Sequence, residues 1–145
     1  MWFIVLFVVT FVCYSEAMTD EEAKLQFTKI AMNCTKKYPL EVHEILDLQK
    51  LKVPTKKTAK CLLACAYRLE GSMNEKGLLD YEHMMKTADL LADGDEKRLK
   101  NAKAVADICI KVNDETVNDG EAGCDRAALL FKCATETAPK YGFKV

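Results

Sequence analysis

Thr58-Ala59-Lys60-Cys61-Leu62-Leu63-Ala64-Cys65-Ala66-Tyr67-Arg68-Leu69-Glu70 is made of helix formers and contains neither Gly nor Pro. On a helix, residues four apart share a face. Cys61 and Cys65 therefore point the same way, on a stripe with Leu62, Ala66 and Leu69. Parallel side chains on one rigid face are badly placed to bridge to each other and well placed to bridge to two other segments. The helix reads as the strip to which the rest of the chain is stapled. Pro54-Thr55 ahead of it and Gly71 behind it mark its opening and its close.

That reading needs an oxidising compartment, and the first residues supply one. Trp2 to Tyr14 is an apolar run broken only by Thr10. It is too short to span a bilayer and has the length of a signal-peptide core. Ser15-Glu16-Ala17 places small residues where a signal peptidase reads. A signal peptide over residues 1–17, cut after Ala17, and a secreted domain over 18–145 are expected. The whole chain has 7 Cys, 21 Lys+Arg and 22 Asp+Glu. Cys13 and Glu16 leave with the leader, so six cysteines and a balanced charge remain. Six cysteines in a short extracellular chain imply a disulfide framework. The balanced charge argues against nucleic acid or an anionic membrane as the main partner.

Along the rest of the chain the apolar residues recur at helical spacing, and no stretch alternates long enough for a sheet. Thr19-Asp20-Glu21-Glu22 reads as a capping box. The helix after it carries Ala23, Phe27, Ile30 and Cys34 inward and should end near Lys36-Lys37. Asn33-Cys34-Thr35 fits the glycosylation sequon, but its cysteine should be bridged and buried, so it reads as unmodified. A short helix is expected over Glu41 to Leu48. Asn74-Glu75-Lys76-Gly77 is a turn, and Asp80 caps a helix with Met84, Met85, Ala88 and Leu91 inward. Asp93-Gly94-Asp95 breaks it. A fifth helix should run from Glu96 to Val112, burying Leu99, Ala102, Val105, Ala106 and Cys109. A sixth, from Glu121 to Thr137, is apolar nearly all round and belongs at the centre. The expected fold is one all-α domain of about six helices braced by three disulfides.

Six cysteines allow fifteen pairings. Cys124 and Cys133 lie on one predicted helix, about 13.5 Å of rise apart, beyond what a bridge tolerates. Excluding that pair and Cys61–Cys65 leaves ten of the fifteen, and geometry stops there.

The spacing Cys34-x26-Cys61-x3-Cys65-x43-Cys109-x14-Cys124-x8-Cys133 resembles the six-cysteine signature of the insect odorant-binding proteins, the pheromone- and general-odorant-binding family. The x3 and x8 intervals are that family's most fixed features, and the resemblance covers all of 18–145. It implies the bridges Cys34–Cys65, Cys61–Cys124 and Cys109–Cys133. It also implies an apolar cavity that carries a small hydrophobic ligand through extracellular fluid, with a membrane chemoreceptor as a further partner and a monomer or weak homodimer as the assembly. Candidate wall residues are Phe27, Ile30, Met84, Met85, Ala88, Leu91, Val105, Leu130, Phe131 and Phe143. The methionines suit a wall that repacks around different shapes. Tyr67 and Tyr141 are candidate polar handles. Tyr141, Phe143 and Val145, spaced by two, make the C-terminal tail a candidate lid, since in some relatives this segment folds over or into the cavity. His83, beside Met84, is a candidate pH switch whose protonation would loosen the wall.

Enzyme chemistry finds little support. His43 and His83 sit on different predicted helices, and neither has a His or Cys neighbour at metal-ligand spacing. Bridged cysteines cannot act as nucleophiles, and no Gly-rich phosphate loop or nucleophile elbow is present. No cofactor and no metal are expected. Two alternatives stay open: a lipid or hormone carrier on the same fold, and an interaction or defence protein with a filled core.

Overall fold

The computed structural model describes residues 18–145, so the expected leader lies outside the described residues. Six helices follow in order: α1 Asp20–Cys34, α2 Val42–Gln49, α3 Lys57–Glu70, α4 Tyr81–Ala92, α5 Glu96–Cys109 and α6 Cys124–Thr137. Among the described residues there is no strand, only one isolated bridge between Met73 and Leu79.

The caps follow the local chemistry. Thr19 Oγ1 accepts from the Glu22 amide (3.2 Å), while Glu22 Oε2 accepts from the Thr19 amide (2.8 Å). This reciprocal box satisfies two amides that the first turn of α1 leaves free. The Asp80 and Asp95 carboxylates accept from the amides of His83 and Arg98 at the starts of α4 and α5. Gly71 closes α3 at φ +110°, a conformation only glycine takes without strain. A side chain there would also strike the His83 ring, 2.7 Å from an added Cβ.

Four boundaries differ from the sequence reading by more than one residue. α1 ends at Cys34 rather than near Lys36-Lys37. The Thr35 hydroxyl donates to the Met32 carbonyl (2.7 Å), competing with the backbone for it. α3 opens at Lys57, not at Pro54-Thr55, with Lys56 as its extended cap and Pro54 in the lead-in. α5 stops at Cys109, and Ile110–Asp114 tightens into a 3₁₀ turn. The buried Arg126 guanidinium takes the Val112 and Glu115 carbonyls there. Gly120–Ala122 is likewise 3₁₀, and Gly123 at φ +69° separates it from α6. At Gly123 the backbone passes Gly77 so closely that an added Cβ would lie 3.0 Å from the Gly77 Cα.

α3 is the strip and packs most extensively on α6, with α1 on its other side; α4 and α5 form a second pair. Buried residues of α6 are Cys124, Arg126, Ala127, Ala128, Leu130 and Phe131. Lys132 and Glu136 keep one edge of it wet. Three bridges tie these layers: Cys34–Cys65 joins α1 to α3, Cys61–Cys124 joins α3 to α6, and Cys109–Cys133 joins α5 to α6. The Cα separations are 6.0, 4.3 and 5.7 Å. Leu69 leaves the expected inward stripe and is 61% exposed. It lies one turn past Cys65, whose bridge partner is the last residue of α1.

Candidate functional site

The apolar interior has three connected parts. The first gathers Leu63, Ala64, Tyr67, Met73, Leu79, Leu130 and Phe131, with Phe27, Met84 and Val105 partly buried against them. The second holds Ala88, Ala102, Ala138 and Phe143, with Leu91, Val105, Tyr141 and Val145 at its edge. The third places Ile30 and Phe27 against Leu62, Ala66 and the Cys34–Cys65 bridge. Phe27 thus joins the first and third parts, and Val105 joins the first and second. Met85 is half-buried on α4 and belongs to none of the three. Every candidate wall residue is buried or half-buried, and together they come from α1, α4, α5, α6 and the tail. α3 adds Tyr67, whose ring centre lies 5.0 Å from that of Phe27.

Two surface concavities are also present. One, of about 260 Å³, lies between α2 and the start of α3 and is lined by His43, Glu44, Asp47, Lys52 and Lys56 among others. The other, of about 500 Å³, lies at the corner of Met18–Glu21, Ala92–Asp95, Arg98 and Lys144. Both are rich in charge, and none of the ten wall candidates lines either. No group of three or more His, Cys, Asp or Glu side chains among the described residues is arranged to hold a metal ion. No helix among them is long and apolar enough to cross a membrane.

The tail is tied down at several points. Gly142 at φ +87° turns the chain after Ala138–Tyr141, and the Phe143 amide donates to the Ala138 carbonyl (3.1 Å). Phe143 is buried against Ala88 and Ala102, on the facing sides of α4 and α5. The Arg98 guanidinium lies 4.5 Å from the Phe143 ring centre, donates to the Leu91 carbonyl (2.6 Å) and pairs with Asp20. Asp20 also accepts from the Lys144 amide (2.9 Å), and Lys24 Nζ donates to the Val145 carbonyl (3.1 Å). Asn101 donates to the Tyr141 carbonyl (3.1 Å). A single arginine therefore holds the aromatic ring, the end of α4 and the start of α1 at once. Sequence reasoning missed Arg98, and no local pattern marks it, because its partners stand 78 residues and 45 residues away along the chain. Leu48, Leu51 and Tyr38, which pack against the first part of the interior, were missed as well.

His83 stands differently from its sequence reading. Its Nε2 is 3.0 Å from Glu70 Oε1, and Glu70 Oε2 accepts from the Ser72 amide (3.2 Å) and hydroxyl. A proton on the ring would turn this hydrogen bond to a carboxylate into an ion pair. It would tighten the joint between α3 and α4 rather than loosen it.

Known proteins fall in line with this architecture. The model of the PBP/GOBP family matches residues 16–137. General odorant-binding protein 19d of Drosophila melanogaster is 24% identical over 117 residues, spanning 81% of this chain and 75% of that protein. The structure is similar to odorant-binding protein dmelOBP28a of Drosophila melanogaster, with a TM-score of 0.66 and 25% identity over 86% of this chain and 99% of that one. It shares its fold with a pheromone-binding protein of the cockroach Leucophaea maderae, solved with the fluorescent reporter ANS. For that protein the TM-score is 0.59 and the identity 23%, over 78% of this chain and 92% of the other. A six-helix body, three bridges across its layers and a family match over most of the chain lead to one conclusion: this chain belongs to the PBP/GOBP family.

Proposed function

We propose that the mature chain, residues 18–145, is a secreted carrier. It encloses a small hydrophobic molecule among α1, α3, α4, α5, α6 and the C-terminal tail and moves it through extracellular fluid. The observation that carries this reading is the convergence of Phe27, Met84, Ala88, Leu91, Val105, Phe131 and Phe143 from five separate segments, in a body whose layers are covalently tied. A bridged frame resists collapse, so it can give up some packing inside and stay folded. The half-buried methionines of α4 suit ligands of varied shape. In the same reading the latched tail is the lid, and its noncovalent ties let it open.

The test is uptake of ANS by the refolded, oxidised chain, followed by displacement with small volatile alcohols, esters and aldehydes. The carrier reading expects micromolar displacement by a subset of them, lost on reduction of the bridges. A folded, correctly bridged chain that takes up no ANS has a filled core, and the interaction-protein reading then replaces this one.

A further inference from the structure

Asn33-Cys34-Thr35 is the one Asn-x-Ser/Thr sequence in the chain, with no proline in its middle and Lys36 after it. In the sequence reading the bridge at Cys34 argues against modification. The structure removes that objection, because neighbours on a helix point about 100° apart. Phe27, Ile30 and Cys34 face the interior of α1, and Cys34 is 1% exposed. Glu22, Gln26, Lys29 and Asn33, spaced by four, three and four, form an outer stripe that is exposed at every position. A group carried on that stripe meets water and leaves the Cys34–Cys65 bridge and the packing of α1 on α3 untouched. Asn33 also stands in the last turn of α1, about 20 Å of rise from Asp20, which holds the Lys144 amide. It is therefore clear of the tail. Timing points the same way, since sugar transfer acts on the unfolded chain as it enters the secretory lumen. Cys65 follows Cys34 by 31 residues, and at 5–20 residues per second it is made about 2–6 s later. Asn33 is thus presented before Cys34 has its native partner.

We propose that Asn33 is an N-glycosylation site, whose side-chain amide takes an oligosaccharide from a polyprenyl-diphosphate-linked donor. The bond formed joins Asn33 Nδ2 to the anomeric carbon of the sugar. The bond broken joins that carbon to a diphosphate oxygen. The lipid diphosphate leaves with the bonding electrons, the amide gives up one proton, and nothing is oxidised or reduced. The site rests on the secreted-carrier reading, since transfer requires entry to the secretory lumen. It sets a bulky, solubilising group on the outer face of α1, next in the chain to Met32, which is 64% exposed.

The experiment expresses the full chain, residues 1–145, in cultured insect cells and takes the secreted protein from the medium. Parent, Asn33→Gln, Thr35→Ala and Thr35→Ser are compared by intact mass. A peptide N-glycosidase is then applied to the peptide that carries position 33. The expected result is that the parent and Thr35→Ser are heavier than the bare chain by one oligosaccharide, and that Asn33→Gln and Thr35→Ala lose this shift. The glycosidase should remove it from the parent and leave a carboxylic acid where the Asn33 amide stood. A parent that is secreted and correctly bridged with the mass of the bare chain would overturn the site. A shift that persists in Asn33→Gln would overturn it in favour of sugar at another residue. If Asn33→Gln does not reach the medium, the Thr35→Ala and Thr35→Ser pair decides by the same mass difference. Retention of every form inside the cells with the leader uncut would remove the secreted-carrier reading and this inference with it; secretion without sugar removes the site alone.

Discussion

The α3–α6 pair and the C-terminal tail are both buried, yet they are held by different means. Cys61–Cys124 locks α3 to α6 through a covalent bond between the two most extensively packed helices. Phe143 is held by contact with Ala88 and Ala102, by Arg98 over its ring, and by a few hydrogen bonds through Asp20, Lys24 and Asn101. A covalent tie has no open state on the timescale of ligand exchange. A set of noncovalent ties, each worth about 0.5–1.5 kcal/mol, opens and closes locally without unfolding the rest. In the proposed carrier the frame would keep its shape whether or not anything is bound, and the tail would be the part that lets a ligand in or out.

The comparison breaks most sharply at the bridge. Replacing both Cys61 and Cys124 by serine should cost about 2–4 kcal/mol of global stability, read as a lower denaturant midpoint. Breaking the tail should behave otherwise. Phe143→Ala in a rigid core would cost about 3–5 kcal/mol, but a terminal segment can lose no more than its own local opening energy. The expected outcome is a global loss below about 2 kcal/mol, with amide exchange at Gly142 to Val145 at least tenfold faster. Equal global losses for the two variants would erase the distinction.

Smaller effects sharpen it. Glu70→Gln weakens the charged side of the His83 contact between α3 and α4 and should cost about 0.5–1.5 kcal/mol. Thermal midpoints for parent and variant check it. The smallest effect is at the capping box. Hydrogen bonds from the Thr19 amide, then from its hydroxyl, hold the Glu22 carboxyl below its ordinary range. A lowered native value means that the stabilisation is present above the ordinary glutamate pKa, about 4.3, and is lost as the pH falls through the lower native value. Amide exchange in the first turn of α1 should rise there, before the frame responds.

Much of the frame was legible because it depends on local spacing. The i, i+4 cysteines of α3, the caps at Thr19 and Asp80, and the glycine close at Gly71 are all written within one or two turns of chain. The pairing was not legible from geometry alone, which left ten alternatives; family spacing was needed to choose among them. Two helix ends were misjudged where distant groups intervene: Arg126 captures the last carbonyls after α5, and the backbones of Gly77 and Gly123 approach just ahead of α6. His83 read as a loosening switch because its partner Glu70 stands on another helix. The Arg98 latch was invisible for the same reason, since nothing near Arg98 announces Asp20 or Phe143. Periodicity finds faces; it does not say which faces meet.

The most direct measurement of the central claim is the release rate of ANS, by stopped flow, from the oxidised chain and from its Phe143→Ala variant. The account predicts that both bind the probe, because the bridged frame is intact in both, and that release from the variant is at least tenfold faster. Identical release rates would show that the tail does not close the cavity, and absence of binding to either chain would show that the bridged frame encloses no ligand.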